Sequence, residues 1–141
     1  RESLEEICWT YSVSKNKVMY VGDSQTDVQV VQWLKGEGLT MMFNGKGRVC
    51  GLADIMYIGE DARAIEEVAD LFAEVGRDGV IKYYAPLEPG RGKTGLLTQL
   101  GVAAKCGGIL STTHPEMLDT LEKMSAQKRK EFRGITIGEL T

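Results

Sequence analysis

Several things are scarce in this sequence, and each scarcity removes a class of protein. Cys8, Cys50 and Cys106 are odd in number and widely spaced, with no CxxC and no Cys/His pairing. That excludes a disulfide framework and a zinc ribbon, and it reads as reduced thiols in a cytoplasmic protein. His114 is the only histidine, so no histidine-built metal site exists. Apolar runs are no longer than four or five residues, far short of the roughly 20 that a membrane helix needs. No basic segment leads into an apolar one, so no secretory signal is read. Basic charge is also in deficit: 17 Lys and Arg against 20 Asp and Glu give a net charge of −3. Broad, sequence-independent nucleic-acid binding needs the opposite balance. The expected partners are therefore neither nucleic acid nor membrane.

What is present suits a folded domain. The 141 residues are 43% hydrophobic and 26% charged, an ordinary globular composition with enough apolar material for a core. No internal repeat or long low-complexity linker divides the chain, so it reads as one domain: a βα core over 1–77, then a loop-and-helix part over 78–141. Residues 2–12 read as a helix, with Leu4, Ile7, Cys8 and Tyr11 on one face. Val18–Val21 is a short apolar run ended by Gly22, the pattern of a strand buried on both faces. Residues 27–35 read as helix, Leu39–Phe43 and Ile55–Ile58 as further strands, and 62–75 as a helix that Asp61 can cap. Strands alternating with helices imply a parallel sheet with crossover connections. Beyond this, Gly79–Tyr84 reads as a short strand, 86–95 as a loop, 96–105 as a helix, and Thr113–Glu116 as a capping box opening a helix to about Lys130.

The chemistry concentrates in Val18-Met-Tyr-Val-Gly-Asp-Ser-Gln-Thr-Asp27. A buried strand ends at Gly22, Asp23 follows at once, and Asp27 comes four residues later in the first helical turn. In an open parallel α/β sheet this places both carboxylates at the carboxyl end of the strands, where such sheets bind ligands. Two carboxylates there suit Mg²⁺, a hard cation that keeps several waters and shares substrate phosphate. Gly22 permits close backbone approach. Ser24 and Thr26 offer hydroxyls and amides near a helix start, where anions are stabilised. The bland alternative is that Asp23 ends a strand and Asp27 caps a helix.

The stretch Tyr20-Val-Gly-Asp-Ser-Gln-Thr-Asp27 resembles the fourth motif of the haloacid dehalogenase (HAD) superfamily of phosphohydrolases. Met42-Phe-Asn-Gly45 resembles the strand and loop that follow this motif in archaeal members. The ending Lys128-Arg-Lys-Glu-Phe-Arg-Gly-Ile-Thr-Ile-Gly138 resembles the tail of a poorly characterised archaeal HAD group. The resemblance covers residues 1–75 best. It implies a HAD-like, Rossmann-like α/β fold, with Asp23 as a Mg²⁺ ligand and Asp27 as the second acidic residue, acting directly or through water. It also implies a small phosphorylated substrate, with Ser24 and Asn44 as substrate-side candidates.

The departures from the family pattern are equally definite. No two aspartates have DxD spacing, so the family's nucleophile is absent. The cation of its third motif falls at or just before Arg1, 22 residues ahead of Asp23, which makes Arg1 a candidate for that role. The expectation is the carboxyl-terminal part of a HAD phosphatase whose upstream part carries the nucleophile and which, with Mg²⁺, offsets the charge on the phosphoryl oxygens. Alone, the chain is expected to be inactive. A sheet lacking its first strand exposes an edge, which invites a homodimer or a second chain that completes it. The alternative is a non-catalytic HAD-like module that binds a partner.

Other features have plainer readings. Gly90-Arg-Gly-Lys-Thr94 lacks the leading glycine of a P-loop, since Leu87 stands there, and reads as a basic surface loop. Asn44, in Asn-Gly, also suits a turn that needs positive φ. The basic run Lys123, Lys128, Arg129, Lys130 and Arg133 reads as a solvated helix face or as a docking surface for an acidic partner. Trp9 and Trp33 read as core or subunit-contact residues, and Cys8 as a small buried hydrophobe.

Overall fold

The computed structural model describes residues 1–46, 49–84, 108–111 and 118–140; along 118–140, side chains are described for 122–133. The readings on 86–95, 96–105, the Thr113–Glu116 capping box, His114 and Cys106 lie outside the described residues.

Three strands, β1 (Met19–Gly22), β2 (Leu39–Phe43) and β3 (Ile55–Ile58), form a parallel sheet in chain order. Met19 pairs with Leu39 and Met41 with Ile55, so the three strands end at the same edge. A fourth strand, β4 (Gly108–Ser111), adds antiparallel to β3, with Ile58 opposite Gly108. Every residue of β3 and four of the five of β2 are buried, whereas all four of β1 are only half-buried. Among the described residues β1 pairs with β2 alone, so its other edge carries no strand.

Alternation along the strands sends their side chains to two cores. Leu39, Met41, Ile55 and Tyr57 face α4 (Arg63–Tyr84), packing with Ala64, Val68 and Val80. Met42, Met56 and Ile58 face α2 (Val28–Leu34) and α3 (Val49–Leu52), packing with Val31, Val49 and Cys50. Met124 of the last helix, α5 (Leu118–Leu140), closes the same side. Helices on both faces of a mostly parallel sheet define the α/β class.

The first helix, α1 (Glu2–Thr10), is looser. It buries no residue fully; Leu4 and Cys8 pack partway against Val18, Val30 and Leu34. Trp9 is 87% exposed, so the core reading of this residue does not hold. Trp33 packs partway against the same cluster, with the Lys15 ammonium 4.6 Å from its ring.

One difference from the sequence reading concerns α4; another is β4, a strand the sequence reading did not place. The expected strand at Gly79–Tyr84 is instead the second half of α4, continued past a kink at Gly76. There φ is 74° and ψ is −179°, a conformation open essentially to glycine alone. Gly76 thus joins two helical segments across the kink, and Val80 of the second reaches the core. Behind the kink, Arg77 donates to Asp54 at 2.8 Å. Asp54 also accepts the Thr40 N–H at 2.9 Å and the Thr40 hydroxyl at 3.1 Å, joining the start of β2 to the turn before β3.

Candidate active site

The β1 strand ends at Gly22 because the next turn must admit a carboxylate against its backbone. A Cβ on Gly22 would stand 2.6 Å from the Asp27 carboxyl carbon. Asp27 lies in a 3₁₀ turn, Gln25–Asp27, and its carboxylate folds back over the loop. One oxygen accepts the N–H of Asp23 at 3.0 Å and of Ser24 at 2.9 Å, the second half of a capping box. The other accepts the Tyr20 hydroxyl at 2.6 Å. Desolvation pulls the Asp27 carboxyl upward, but the Tyr20 hydroxyl and the Ser24 and Asp23 amides outweigh it, and the net shift is downward. Burial, then the hydrogen bond and charge of Asp27, push the Tyr20 phenol up to about 12. Tyr20 is therefore a neutral donor and Asp27 a charged acceptor at any ordinary pH.

The effect is to present Asp23. Its side chain is 65% exposed, just past the carboxyl end of β1. Its carbonyl is held twice, by the Lys46 N–H at 3.0 Å and by Arg129 Nη1 at 3.1 Å. A second Arg129 nitrogen lies 3.7 Å from the Asp23 carboxylate.

The other candidates take different places. The Ser24 hydroxyl pairs with the Thr26 hydroxyl at 2.8 Å. Asn44 does sit in the left-handed region, with φ of 49°, and is buried. Its amide donates to the Gly59 carbonyl at 2.9 Å and accepts the Gly59 N–H at 3.0 Å, tying the exits of β2 and β3 together. Arg1 pairs with Glu5 one helical turn along α1, at 3.0 Å. The Asp61 carboxylate accepts the Arg63 N–H at 2.9 Å, at the start of α4.

Sequence reasoning missed the part played by α5. Lys123, Lys130 and Arg133 are exposed as a solvated face would be, but the helix also pins the loop after each parallel strand. Arg129 holds Asp23 after β1, the Ser125 hydroxyl donates to the Gly45 carbonyl at 2.6 Å after β2, and Lys128 pairs with Glu60 after β3. Ser125 and Lys128 are buried. The Glu60 hydrogen bond raises the Lys128 pKa despite desolvation, so the charge stays on. The local signal was Ser125 interrupting a charged stretch; its partners lie 80 residues or so away, beyond any periodicity.

Whether the site can take Mg²⁺ is a question of donors. Asp23 has carboxylate oxygens open to solvent, while both Asp27 oxygens already accept donors. Among the described residues no three or more His, Cys, Asp or Glu side chains come together. Mg²⁺ is often bound through one or two carboxylates with water and substrate phosphate completing the shell. Asp23 fits as such a ligand and Asp27 as the group that positions it.

Comparison with known proteins adds the fold. No family model matches the chain, and neither does any curated protein. Among solved structures it is similar to the gene product AF1437 of Archaeoglobus fulgidus, with a TM-score of 0.63 and 19% identity over 96% of this chain. The chain spans about a third of that protein's length, 37% of it. This class of protein, an α/β domain with a parallel sheet flanked by helices, is what fold and likeness establish. No helix among the described residues is long and apolar enough to cross a membrane.

Proposed function

We propose that this chain is the metal-binding part of a Mg²⁺-dependent phosphohydrolase of the HAD type, acting on a small phosphorylated molecule. The observation that carries the reading is the division of labour between two aspartates at the carboxyl end of β1. Asp27 is saturated with donors and fixes the loop, and Asp23 stands open beyond it. A carboxylate held at a sheet's ligand-binding edge without a saturating partner is suited to a hard cation. Mg²⁺ bound there would supply charge to neutralise phosphoryl oxygens. Asp23 would ligate it, Asp27 and Tyr20 would hold Asp23 in place, and the Lys46 amide and Arg129 would keep the loop from turning away.

The free edge of β1 supports the companion proposal that the sheet is completed by another strand, from a second copy or a second chain. A nucleophile, absent from this sequence as a DxD pair, would enter on that strand where a different chain or upstream sequence supplies it, since a second copy lacks it as well.

A second reading is favoured by one contact. Arg129 already faces Asp23 with a positive charge, as in a HAD-like module that keeps the fold and binds a partner instead of turning over substrate. An Mg²⁺ titration followed by amide NMR separates the two. Shifts confined to residues 22–27 and 44–46, and lost in Asp23→Asn, are expected of the phosphohydrolase part. Their absence in the unsubstituted chain favours the module.

A further inference from the structure

A cavity of about 390 Å³ opens beside Asp23, between the loop after β2 and the exposed flank of α5. Gly45, Lys46, Glu122, Ala126, Arg129, Lys130 and Arg133 line it. Four cations thus face one carboxylate in a chain whose net charge is −3. The concentration of charge follows from helix geometry: 122, 126, 129, 130 and 133 recur at spacings of three and four and share one face of α5. Lys46 joins them because Ser125 clamps Gly45 under the helix and the Lys46 N–H is fixed on Asp23. Arg129 is held in place, its side chain only 20% exposed, with one guanidinium nitrogen on the Asp23 carbonyl. Lys130 and Arg133 are exposed by comparison.

We infer that this cavity is an anion site for a small molecule carrying two phosphoryl groups, or a phosphoryl and a carboxylate, close together. The inference rests on the proposed function, because it names the substrate class of the same site. One phosphate would need one or two cations; four, three of them within two turns of one helix, match charge spread over a longer ligand. The volume lies within the range of small-ligand pockets. A concave site of that size fits a small anion better than a nucleic acid or an acidic protein, which would call for an extended basic stripe. Glu122 is the discriminating element: its carboxylate repels a second negative group placed near it and leaves the Lys130 and Arg133 side for it.

The probe is inorganic pyrophosphate, set against orthophosphate, titrated into the full 141-residue chain with EDTA present. Binding without metal is therefore read separately from the Mg²⁺ half-site. Amide shifts at 45–46 and 126–133 are expected, with pyrophosphate at least tenfold tighter than orthophosphate and weakening as salt rises. Lys130→Ala/Arg133→Ala, both exposed, should weaken pyrophosphate about tenfold, while Glu122→Gln tightens it several-fold. Asp23→Asn should leave it bound while abolishing Mg²⁺ shifts. Lys123→Ala, outside the lining, is the control and should change nothing. Equal affinity for the two anions, an equal loss in Lys123→Ala, or tighter binding of an oligonucleotide with no pyrophosphate shifts would each overturn the assignment.

Discussion

The two ends of the parallel sheet each hold an aspartate bound by several donors, and they use it for opposite purposes. At the amino end Asp54 is buried, receives the Thr40 amide and hydroxyl, and pairs with Arg77 beyond the Gly76 kink. The Asp54 carboxylate is enclosed by these donors, and the result is a clamp. At the carboxyl end Asp27 is bound as thoroughly, by Tyr20, Asp23 and Ser24, yet the loop it fixes leaves its neighbour Asp23 open. The lesson is that hydrogen-bond saturation does not by itself mark structure or function. What matters is whether an unsaturated charge stands beside the saturated one. The carboxyl end has that arrangement in Asp23, and α5 reinforces it by holding the loops after all three parallel strands.

The comparison breaks most sharply at the amino end. Asp54→Ala removes one of the two carboxylate partners of Arg77 and two contacts with Thr40, its amide and its hydroxyl. Breaking a buried ion pair from one side is destabilising, and the partner that Arg77 keeps, Asp78 at 2.9 Å, is exposed. The Arg77 Nε is already buried without a partner among the described residues. A loss of about 3 kcal/mol is expected, read as a lower urea midpoint at unchanged slope. Pyrophosphate and Mg²⁺ binding, measured well below that midpoint, should be unaffected, because Asp54 serves the other end of the sheet.

Asp27→Ala should cost less stability, about 2 kcal/mol, since its donors can reach water more readily; unlike Asp54→Ala, it should also erase the Mg²⁺ shifts. Its pH dependence follows from the direction of the shift. The folded carboxyl titrates below its unfolded value, so its contribution is complete above the ordinary carboxylate range and disappears as pH falls through the folded value. The difference in stability between wild type and Asp27→Ala should therefore shrink in acid. Tyr20 behaves oppositely. Its phenol is raised from 10.0 to about 12, so its contribution is full below pH 10 and is lost as pH rises toward 12. Urea midpoints collected across both ranges check the two limbs.

These contrasts also explain what the sequence disclosed. The ends of β2 and β3 were legible to the residue, because Leu39–Phe43 and Ile55–Ile58 are apolar runs closed by Asn44-Gly45 and Gly59. Asp23 and Asp27 were legible for the same local reason, a strand that stops and an acidic loop that follows. The second half of α4 was not, because Gly76 and Gly79 imitate strand punctuation while Gly76 only bends the helix. The β4 strand was missed because just Ile109 and Leu110 are apolar within it, and its pairing is with residues some fifty positions earlier. The jobs of Ser125, Lys128 and Arg129 depend on loops from three different strands, and no window along the chain contains both partners.

Gly76→Ala tests the kink without touching either aspartate. Nothing lies within 4 Å of the added methyl, so the cost is backbone strain alone, about 1–2 kcal/mol for a residue forced into that region. The thermal midpoint should fall. If instead it rises, the helix has straightened and Arg77 no longer reaches Asp54; loss of coupling in an Asp54→Ala/Gly76→Ala double cycle would then show it.

Asp23→Asn should have the smallest effect on stability and the largest on function. The side chain is mostly exposed, and its ion-pair partner among the described residues, Arg129, sits at 3.7 Å, a separation at which exposed pairs are worth little. The carbonyl contacts of Asp23 with Lys46 and Arg129 do not depend on the side chain. The urea midpoint should therefore stay within the change expected of an ordinary surface substitution, about 0.5 kcal/mol. A large loss would mean that the Asp23 carboxylate is a structural partner of Arg129 after all, and the carboxyl end of the sheet would then be a clamp like the amino end.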